Sequence, residues 1–427
     1  MFTAPGNFLK LILPPHIFLL QSILVFVPSF VWGFDYDYET DHMAPIILVP
    51  GVVGAQVEGK WHTHGQPWYC EEKSFGWEQL WFRIRTGPGG MPLKCWVFRY
   101  KLIYNKTTHR SHNQIGVKTR VVGKFGSLKP VEYLTNDPIS QLGSHYFDDI
   151  AKSFRRSGYS DEHNLKAAAY DGRYAMPQQE DFGYFVKFTE LVERTAHCSK
   201  RRVSIVTHSM GGLVAAYFLV NKTQAWKNKY IHNFIAISTP WLGSPKAIEG
   251  FVTGTNFDVK TFKLSIMREL VRTFQSVALL LPAEDAYKET VLVDWPEQNK
   301  TYTGKDYKQL FTDMKYKDGY LMREDVRSLM PVHGKKLGVK LVCVWSHFVK
   351  TPFTMHVEGD MANPKHVWRT DVDGDGTVTL ESLEYCKKFP NVTTRVFPGK
   401  DHLKIVFSDG VIDYIKSNLV HAKPVLY

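Results

Sequence analysis

The chain has 427 residues, 44% of them hydrophobic, so it can bury a substantial core and is neither a mini-protein nor a disordered segment. Its net charge of +11, from 53 Lys+Arg against 42 Asp+Glu, draws it to anionic surfaces. The basic residues are dispersed rather than gathered in runs, which favours anionic lipid as a partner over nucleic acid, and 17 His add positive charge in an acidic compartment.

Residues 1–33 read as a secretory signal peptide. Lys10 is their only formal charge, Ile17 to Val31 is nearly continuous apolar sequence, and Gly33 offers a small residue at its end. Pro14, Pro15 and Pro28 interrupt the stretch and acidic Asp35, Asp37, Glu39 and Asp41 follow, which argues against a membrane anchor. Sequons at Asn105, Asn221, Asn299 and Asn391 are glycosylation candidates and support the secretory route. In an oxidising compartment five cysteines make two pairs and one free thiol. Sequence proximity pairs Cys70 with Cys95 and Cys343 with Cys386, leaving Cys198 as an inert thiol. No CxxC or HExxH spacing argues for a metal site.

Ile46 to Val49 predicts a short strand that stops at Pro50-Gly51. Between residues 61 and 100, Trp61, Trp68, Tyr69, Phe75, Trp77, Trp81, Phe82, Trp96, Phe98 and Tyr100 crowd together, with Arg83, Arg85 and Lys94 among them. Two readings stay open there: a membrane–water interface, which suits aromatics beside cations, or a small satellite core. Residues 101–135 are polar and basic with strand-like fragments such as Val117 to Val122, and read as an insertion. Phe147, Ile150, Ala151 and Phe154 have helical spacing. Ala167 to Tyr170 reads as a strand, Phe185, Phe188, Leu191 and Val192 as a helix, and Phe234 to Ser238 as the next strand, stopped by Pro240-Trp241-Leu242-Gly243. Residues 245–332 break the alternation, show few strand signals and one helical piece around Leu264 to Val277, and read as an inserted cap. Val339 to Trp345 and Thr394 to Phe397 return to strands, and Val406 to Leu419 is a closing helix. Strands alternating with helices imply an α/β fold with a mostly parallel sheet, its core spread over residues 45–60, 136–244 and 333–427.

The chemistry sits at Thr207-His208-Ser209-Met210-Gly211-Gly212. A β-branched run (Val203, Ile205, Val206) precedes it and an apolar helical run (Leu213 to Val220) follows. A serine on such a corner has the context of the G-x-S-x-G nucleophile of α/β-hydrolases, although Thr207 replaces the first glycine. The helix start behind it offers free N–H groups to a developing oxyanion, and the loop after Ile46 to Val49 is where such folds place the second donor. A serine nucleophile needs a base and an orienting carboxylate, in the order Ser, Asp, His. The stretch Asp371-Val372-Asp373-Gly374-Asp375-Gly376 and then Asp401-His402-Leu403 meet that order on loops after strands. Asp375 is the choice among the acids, with Asp373 or Asp371 possible on spacing alone, and His402 is the base. His208, next to the nucleophile on a tight turn, suits a packing or polar-network role. Asp371, Asp373, Asp375 and Gly376 also match the first positions of an EF-hand calcium loop, but position 12 is Ser382 and no amphipathic helix precedes them.

Taken together these residues resemble the lecithin–cholesterol acyltransferase and lysosomal phospholipase A (group fifteen) family over roughly residues 45–420. The resemblance rests on Val49-Pro50-Gly51 with Gly54 and Gln56, the Cys70 to Cys95 loop, Tyr170-Asp171-x-Arg173, His208-Ser209-Met210-Gly211, Pro240-Trp241-x-Gly243, Asp373-Gly374-Asp375-x-Thr377-Val378 with Cys386, and His402-Leu403. It implies an α/β-hydrolase with Ser209, Asp375 and His402 as its triad and the backbone N–H groups of Val52 and Met210 as its oxyanion hole. It implies the disulfides as paired above, a stapled loop over 61–100 that docks on a phospholipid membrane or lipoprotein, and a cap over 245–332 that lines the acyl chains. The implied activity is phospholipase A and O-acyltransferase with water or a lipid alcohol as acceptor, in the lysosome or outside the cell, with no cofactor. A sterol-specific acyltransferase, a non-catalytic lipid-binding protein and a calcium-regulated module are the rivals. Val52 stands where lysosomal members carry Asp and the plasma enzyme Cys, which changes polarity but keeps the backbone donor. Gly172 replaces a Trp, removing a large packing group, and Thr207 replaces a smaller residue.

Overall fold

The computed structural model describes residues 43–81, 92–137, 141, 143–255, 264–330 and 336–425. The expected signal peptide at 1–33, and Phe82, Arg83 and Arg85, lie outside the described residues.

A six-stranded sheet runs in the order Val392–Val396, Leu341–Trp345, Ile231–Ile237, Val203–His208, Ile46–Val49, Leu165–Ala167, and all its pairings are parallel. Every residue of Ile46–Val49, Val203–His208 and Leu341–Trp345 is buried, as parallel strands covered on both faces require. Alternate residues feed two cores. Ile47, Val49, Ile205, Phe234 and Ala236 face the helices Tyr184–Ser199 and Met210–Val220. Ile46, Leu48, Val206, Ile235 and Val344 face the helices Asp148–Arg156 and Asp409–Ser417. Register pairs Val49 with Thr207 and Thr207 with Ala236, so the ends of three strands lie side by side next to Ser209.

Several boundaries differ from expectation; the strand expected from Phe234 to Ser238 is Ile231–Ile237, and the helical piece expected around Leu264 to Val277 is two helices, Leu264–Val271 and Gln275–Leu279. The strand expected at 167–170 is Leu165–Ala167; Ala168 still donates to the Leu48 carbonyl, after which the chain turns and Tyr170 Oη donates to the Pro50 carbonyl at 2.9 Å. The last strand is Val392–Val396 rather than 394–397. The closing helix is not continuous from 406, because extended Ser408 separates a short 3-10 turn at Lys404–Phe407 from the helix Asp409–Ser417.

The largest departure is a second sheet, ordered Lys300–Tyr302, Val293–Trp295, Val349–Asp360, Asn363–Gly374. Its long hairpin is irregular, with register shifts between Pro352 and Met355 and between Glu358 and Gly359. This sheet draws strands from both sides of residue 332. A third sheet, Glu78–Trp81, Val57–Trp61 and Val117–Val121, ties the 101–135 insertion to the aromatic stretch.

Cys70–Cys95 and Cys343–Cys386 are disulfide-bonded and Cys198 is free and exposed. The aromatic stretch divides. Trp81, Trp96 and Tyr100 stack with ring centroids 5.9–6.3 Å apart and are buried with Trp61. Trp68 is 93% exposed, Phe75 is fully exposed, and Tyr69 and Trp77 are partly so. The small satellite core expected there is not separate: Trp61, Trp81, Trp96 and Tyr100 pack in the same core as Ile47 and Val49, and the bare Trp68 and Phe75 stand outside it. No helix among the described residues is long and apolar enough to cross a membrane.

Candidate active site

Ser209 follows the strand Val203–His208 and precedes the helix Met210–Val220, with φ 56° and ψ −131°. A non-glycine residue in that region stores about 1–3 kcal/mol, which the surrounding packing must hold. The two glycines after it are steric requirements. A Cβ at Gly211 would lie 2.4 Å from the Val49 carbonyl oxygen, and one at Gly212 would lie 2.0 Å from Thr239 Oγ1. The helix can approach the strand ends only without those side chains.

The structure brings Ser209, His402 and Asp375 together across nearly 200 residues of chain. His402 Nε2 lies 2.9 Å from Ser209 Oγ. His402 Nδ1 lies 2.7 Å from Asp375 Oδ2, and the His402 N–H donates to the Asp375 carbonyl at 2.7 Å. Asp375 is fully buried, and its Oδ1 accepts from the Val378 and Thr377 N–H groups at 2.8 and 3.1 Å. Both its oxygens are thus occupied, which fixes its direction.

The other acids in that stretch go elsewhere. Asp373 accepts from the Phe348 N–H at 2.6 Å and pairs with His347, while Asp371 pairs with Arg369 at 3.4 Å. Ser382, at the twelfth position of the calcium template, is buried; it donates to the Gly243 carbonyl and accepts from the Leu242 N–H. The carboxylates serve separate partners and do not form the EF-hand ligand set. Among the described residues, His145, Asp148 and Asp149 are close enough to share an ion, but Lys152 Nζ already donates to Asp148 Oδ2 at 2.9 Å, the oxygen that His145 also reaches.

His208 is the centre of a buried strut. Tyr146 Oη lies 2.8 Å from His208 Nδ1, and His208 Nε2 lies 2.8 Å from the His402 carbonyl. The Gly51 N–H donates to the same Tyr146 hydroxyl at 2.8 Å. One assignment satisfies all three contacts: Gly51 N–H to Tyr146 Oη, Tyr146 O–H to His208 Nδ1, and His208 Nε2–H to the His402 carbonyl. Burial, with a smaller contribution from neighbouring His402, holds the His208 pKa well below the usual imidazole value, consistent with this neutral form. The polar-network role expected of His208 is thus met, but Tyr146 had no signal in the sequence.

The loop before the strut is shaped for close approach. Gly54 N–H donates to the Gly51 carbonyl at 3.1 Å, closing a tight turn around Val52. The Val52 and Met210 N–H groups have no hydrogen-bond partner among the described residues. A Cβ on Gly172 would lie 1.4 Å from the Val52 carbonyl oxygen. The place of the expected tryptophan is therefore not empty; the Val52 peptide occupies it. Next to it, fully buried Arg173 grips Asp171 with Nε at 2.9 Å and Nη2 at 2.6 Å, and donates to the Tyr100 carbonyl and Thr119 Oγ1 at 2.8 Å. It clamps this loop to the aromatic lobe. The four sequon asparagines are all exposed.

A mostly parallel sheet with a serine on a strained strand-to-helix corner defines an α/β-hydrolase. A sequence profile of the lecithin:cholesterol acyltransferase family matches residues 76–340. The chain is 32% identical over 386 residues to the lysosomal phospholipase A and acyltransferase of Canis lupus familiaris and 31% identical over 386 residues to that of Homo sapiens, covering 88% of this chain and 91% and 90% of those proteins. It is 32% identical over 415 residues to the phosphatidylcholine-sterol acyltransferase of Gallus gallus, covering 92% of this chain and 97% of that protein. The chain belongs to the lecithin:cholesterol acyltransferase family.

Proposed function

We propose that this protein is a serine-dependent phospholipase A and O-acyltransferase with Ser209, His402 and Asp375 as its triad. The observation that carries the reading is His402, whose two ring nitrogens reach Ser209 and buried Asp375 at 2.9 and 2.7 Å. His402 Nε2 takes the Ser209 proton as Oγ attacks an ester carbonyl of a glycerophospholipid. The tetrahedral oxyanion is held by the Val52 and Met210 N–H groups. The C–O bond to the glycerol breaks, the leaving oxygen takes the proton from His402, and acyl-Ser209 remains. Water or a lipid alcohol then gives its proton to His402 and attacks the acyl carbon; the bond to Oγ breaks, Ser209 recovers its proton from His402, and a fatty acid or a new ester leaves. Asp375 accepts from Nδ1–H and keeps Nε2 free as the base. No cofactor takes part.

In this reading the bare tip with Trp68 and Phe75 enters a lipid surface, and the net charge of +11 favours anionic lipid. The insertion over 245–332 covers the acyl chains. Residues 1–33 direct the chain into the secretory route, toward lysosome or extracellular fluid, where Asn105, Asn221, Asn299 and Asn391 accept glycans. Ser209→Ala abolishes fatty-acid release from phospholipid liposomes and labelling by a fluorophosphonate. Undiminished release by that variant refutes the assignment. Labelling absent from the unmodified protein favours a non-catalytic lipid binder. Cholesterol and a short lipophilic alcohol offered together distinguish a sterol-specific enzyme from one that accepts general lipid alcohols.

A further inference from the structure

The seam between the 101–135 insertion and the 245–332 insertion holds a cavity of about 580 Å³, a volume typical of small-molecule sites. Its walls include Leu102, Tyr104, Arg268, Arg272, Thr273 and Tyr316. None of the three proposed triad residues lines it.

Arg268 lies on the helix Leu264–Val271 and Arg272 directly after it. Arg268 Nε and Arg272 Nη2 donate to one carbonyl, that of Phe251, at 3.2 and 3.1 Å. Phe251 is in the last turn of the helix Lys246–Val252, whose free carbonyls attract cations. That accounts for part of each guanidinium. Arg268 Nη2 and Arg272 Nε are buried without a partner. The nearby carboxylates are already engaged: Glu269 with Lys101 at 2.8 Å, Asp318 with Lys106 at 3.1 Å and Asp360 with Lys315 at 3.3 Å. Neither arginine has an ion-pair partner among the described residues. Arg272 also lies over the Tyr316 ring at 4.4 Å. Burial, reinforced by the charge of Arg268, pushes the Arg272 pKa down to about 10. Because Arg268 Nη2 and Arg272 Nε are closed to solvent, a ligand can meet only the remaining Nη1 side of each guanidinium, and two partly buried like charges beside one cavity are costly unless an anion joins them. A guanidinium fork matches oxyanions well. Two separate guanidinium groups call for an anion with oxygens on more than one edge, as in a phosphate, and the apolar wall at Leu102 and Tyr104 offers surface to an organic body.

We infer that this cavity binds an organic phosphate, its oxyanion between Arg268 and Arg272 and its carbon body against Leu102 and Tyr104. The ligand is either a free phosphate ester or the headgroup of an anionic phospholipid. The site stands apart from acyl transfer at Ser209 and does not depend on it.

The test uses the full chain, with Arg268→Gln and Lys365→Gln, an exposed control with the same loss of charge. Calorimetry with glycerol 3-phosphate and sedimentation with phosphatidylcholine vesicles, with or without phosphatidylglycerol, are the readouts. For a free phosphate ester, the unmodified protein binds glycerol 3-phosphate, and Arg268→Gln weakens this at least tenfold while Lys365→Gln does not. For a lipid headgroup, glycerol 3-phosphate does not bind, and the gain from phosphatidylglycerol is lost in Arg268→Gln alone. Binding of neither probe by the unmodified protein, or equal losses in both variants, overturns the inference. Arg268→Lys, which keeps the charge without the fork, covers the case in which the Gln variant folds poorly; its binding falls below that of both the unmodified protein and Lys365→Gln, and binding equal to theirs overturns the inference. Ser209→Ala binds as the unmodified protein does, so a failed acyl-transfer assignment leaves this test intact.

Discussion

The Ser209 corner and the aromatic lobe around Cys70–Cys95 are held in place by opposite means. At the corner, polar contacts are redundant: Asp375 has three hydrogen-bonded partners through its carboxylate, and His402 is held through both ring nitrogens, its N–H and its carbonyl. In the lobe, one contiguous aromatic stretch sends Trp61, Trp81, Trp96 and Tyr100 inward and leaves Trp68 and Phe75 bare. A disulfide and the Arg99 guanidinium, 4.1 Å over Trp61, hold the inner half. Chemistry at the corner needs fixed atoms. The lipid contact proposed for the lobe would need exposed apolar area on a firm base, and its outer side chains would need no fixed partners.

Asp375→Asn breaks the contrast most severely. It leaves the carboxylate site polar but removes the acceptor that sets the His402 tautomer, and kcat falls on the order of 10⁴-fold with both liposomes and a soluble ester. A loss confined to liposomes would contradict the role given to Asp375. Trp68→Ala acts only at the lobe. It removes exposed apolar area worth about 2 kcal/mol at an interface, so vesicle binding weakens roughly thirtyfold while soluble-ester turnover and melting temperature hold. Equal losses on both substrates would place Trp68 in the site instead.

Tyr146→Phe sharpens the comparison from inside. It cuts the strut between the Gly51 loop and His402, two of whose three hydrogen bonds run through the Tyr146 hydroxyl. At about 1–1.5 kcal/mol for such a contact, kcat drops roughly tenfold with KM unchanged. A change in KM alone would make Tyr146 a binding residue.

The smallest effect is one of pH. His208 has a folded pKa below its unfolded value, which is near 6.5. The unfolded chain therefore binds the extra proton first as pH falls. The stabilisation is fully present above about 6.5 and is lost progressively below it, by at most about 1.4 kcal/mol per pH unit. His208→Gln flattens the melting-temperature profile below pH 6.5 relative to the unmodified protein; an unchanged slope would show that His208 is already protonated when folded.

Ser209, Asp375 and His402 were legible because each is marked locally. A β-branched run turning into a glycine-rich helix start marks the proposed nucleophile, and an acidic loop and then a histidine follow strands in the order the proposed chemistry demands. Tyr146 carries no such mark. Its partners are 62 and 95 residues away, and nothing in the sequence around it points to either. The Val349–Gly374 hairpin had no reading in the sequence; it contains Pro352, Gly359 and Pro364, residues unfavourable to regular strands, which the fold absorbs at register shifts and near the hairpin turn. The calcium alternative at Asp371 to Asp375 was open for the opposite reason: spacing lists carboxylates without saying which partners they meet.

Local sequence was enough to point to the strand-to-helix corner, the order of the proposed acid and base, and the cysteine pairs, because short-range periodicity, steric need for glycine and chain order are one-dimensional properties. Packing had to choose which aromatics become core and which stay bare, how Val52 fills the space beside Gly172, and how Tyr146 and His208 brace His402. Those outcomes depend on burial and hydrogen-bond satisfaction among residues that meet only when the sheet closes, and no spacing along the chain encodes them.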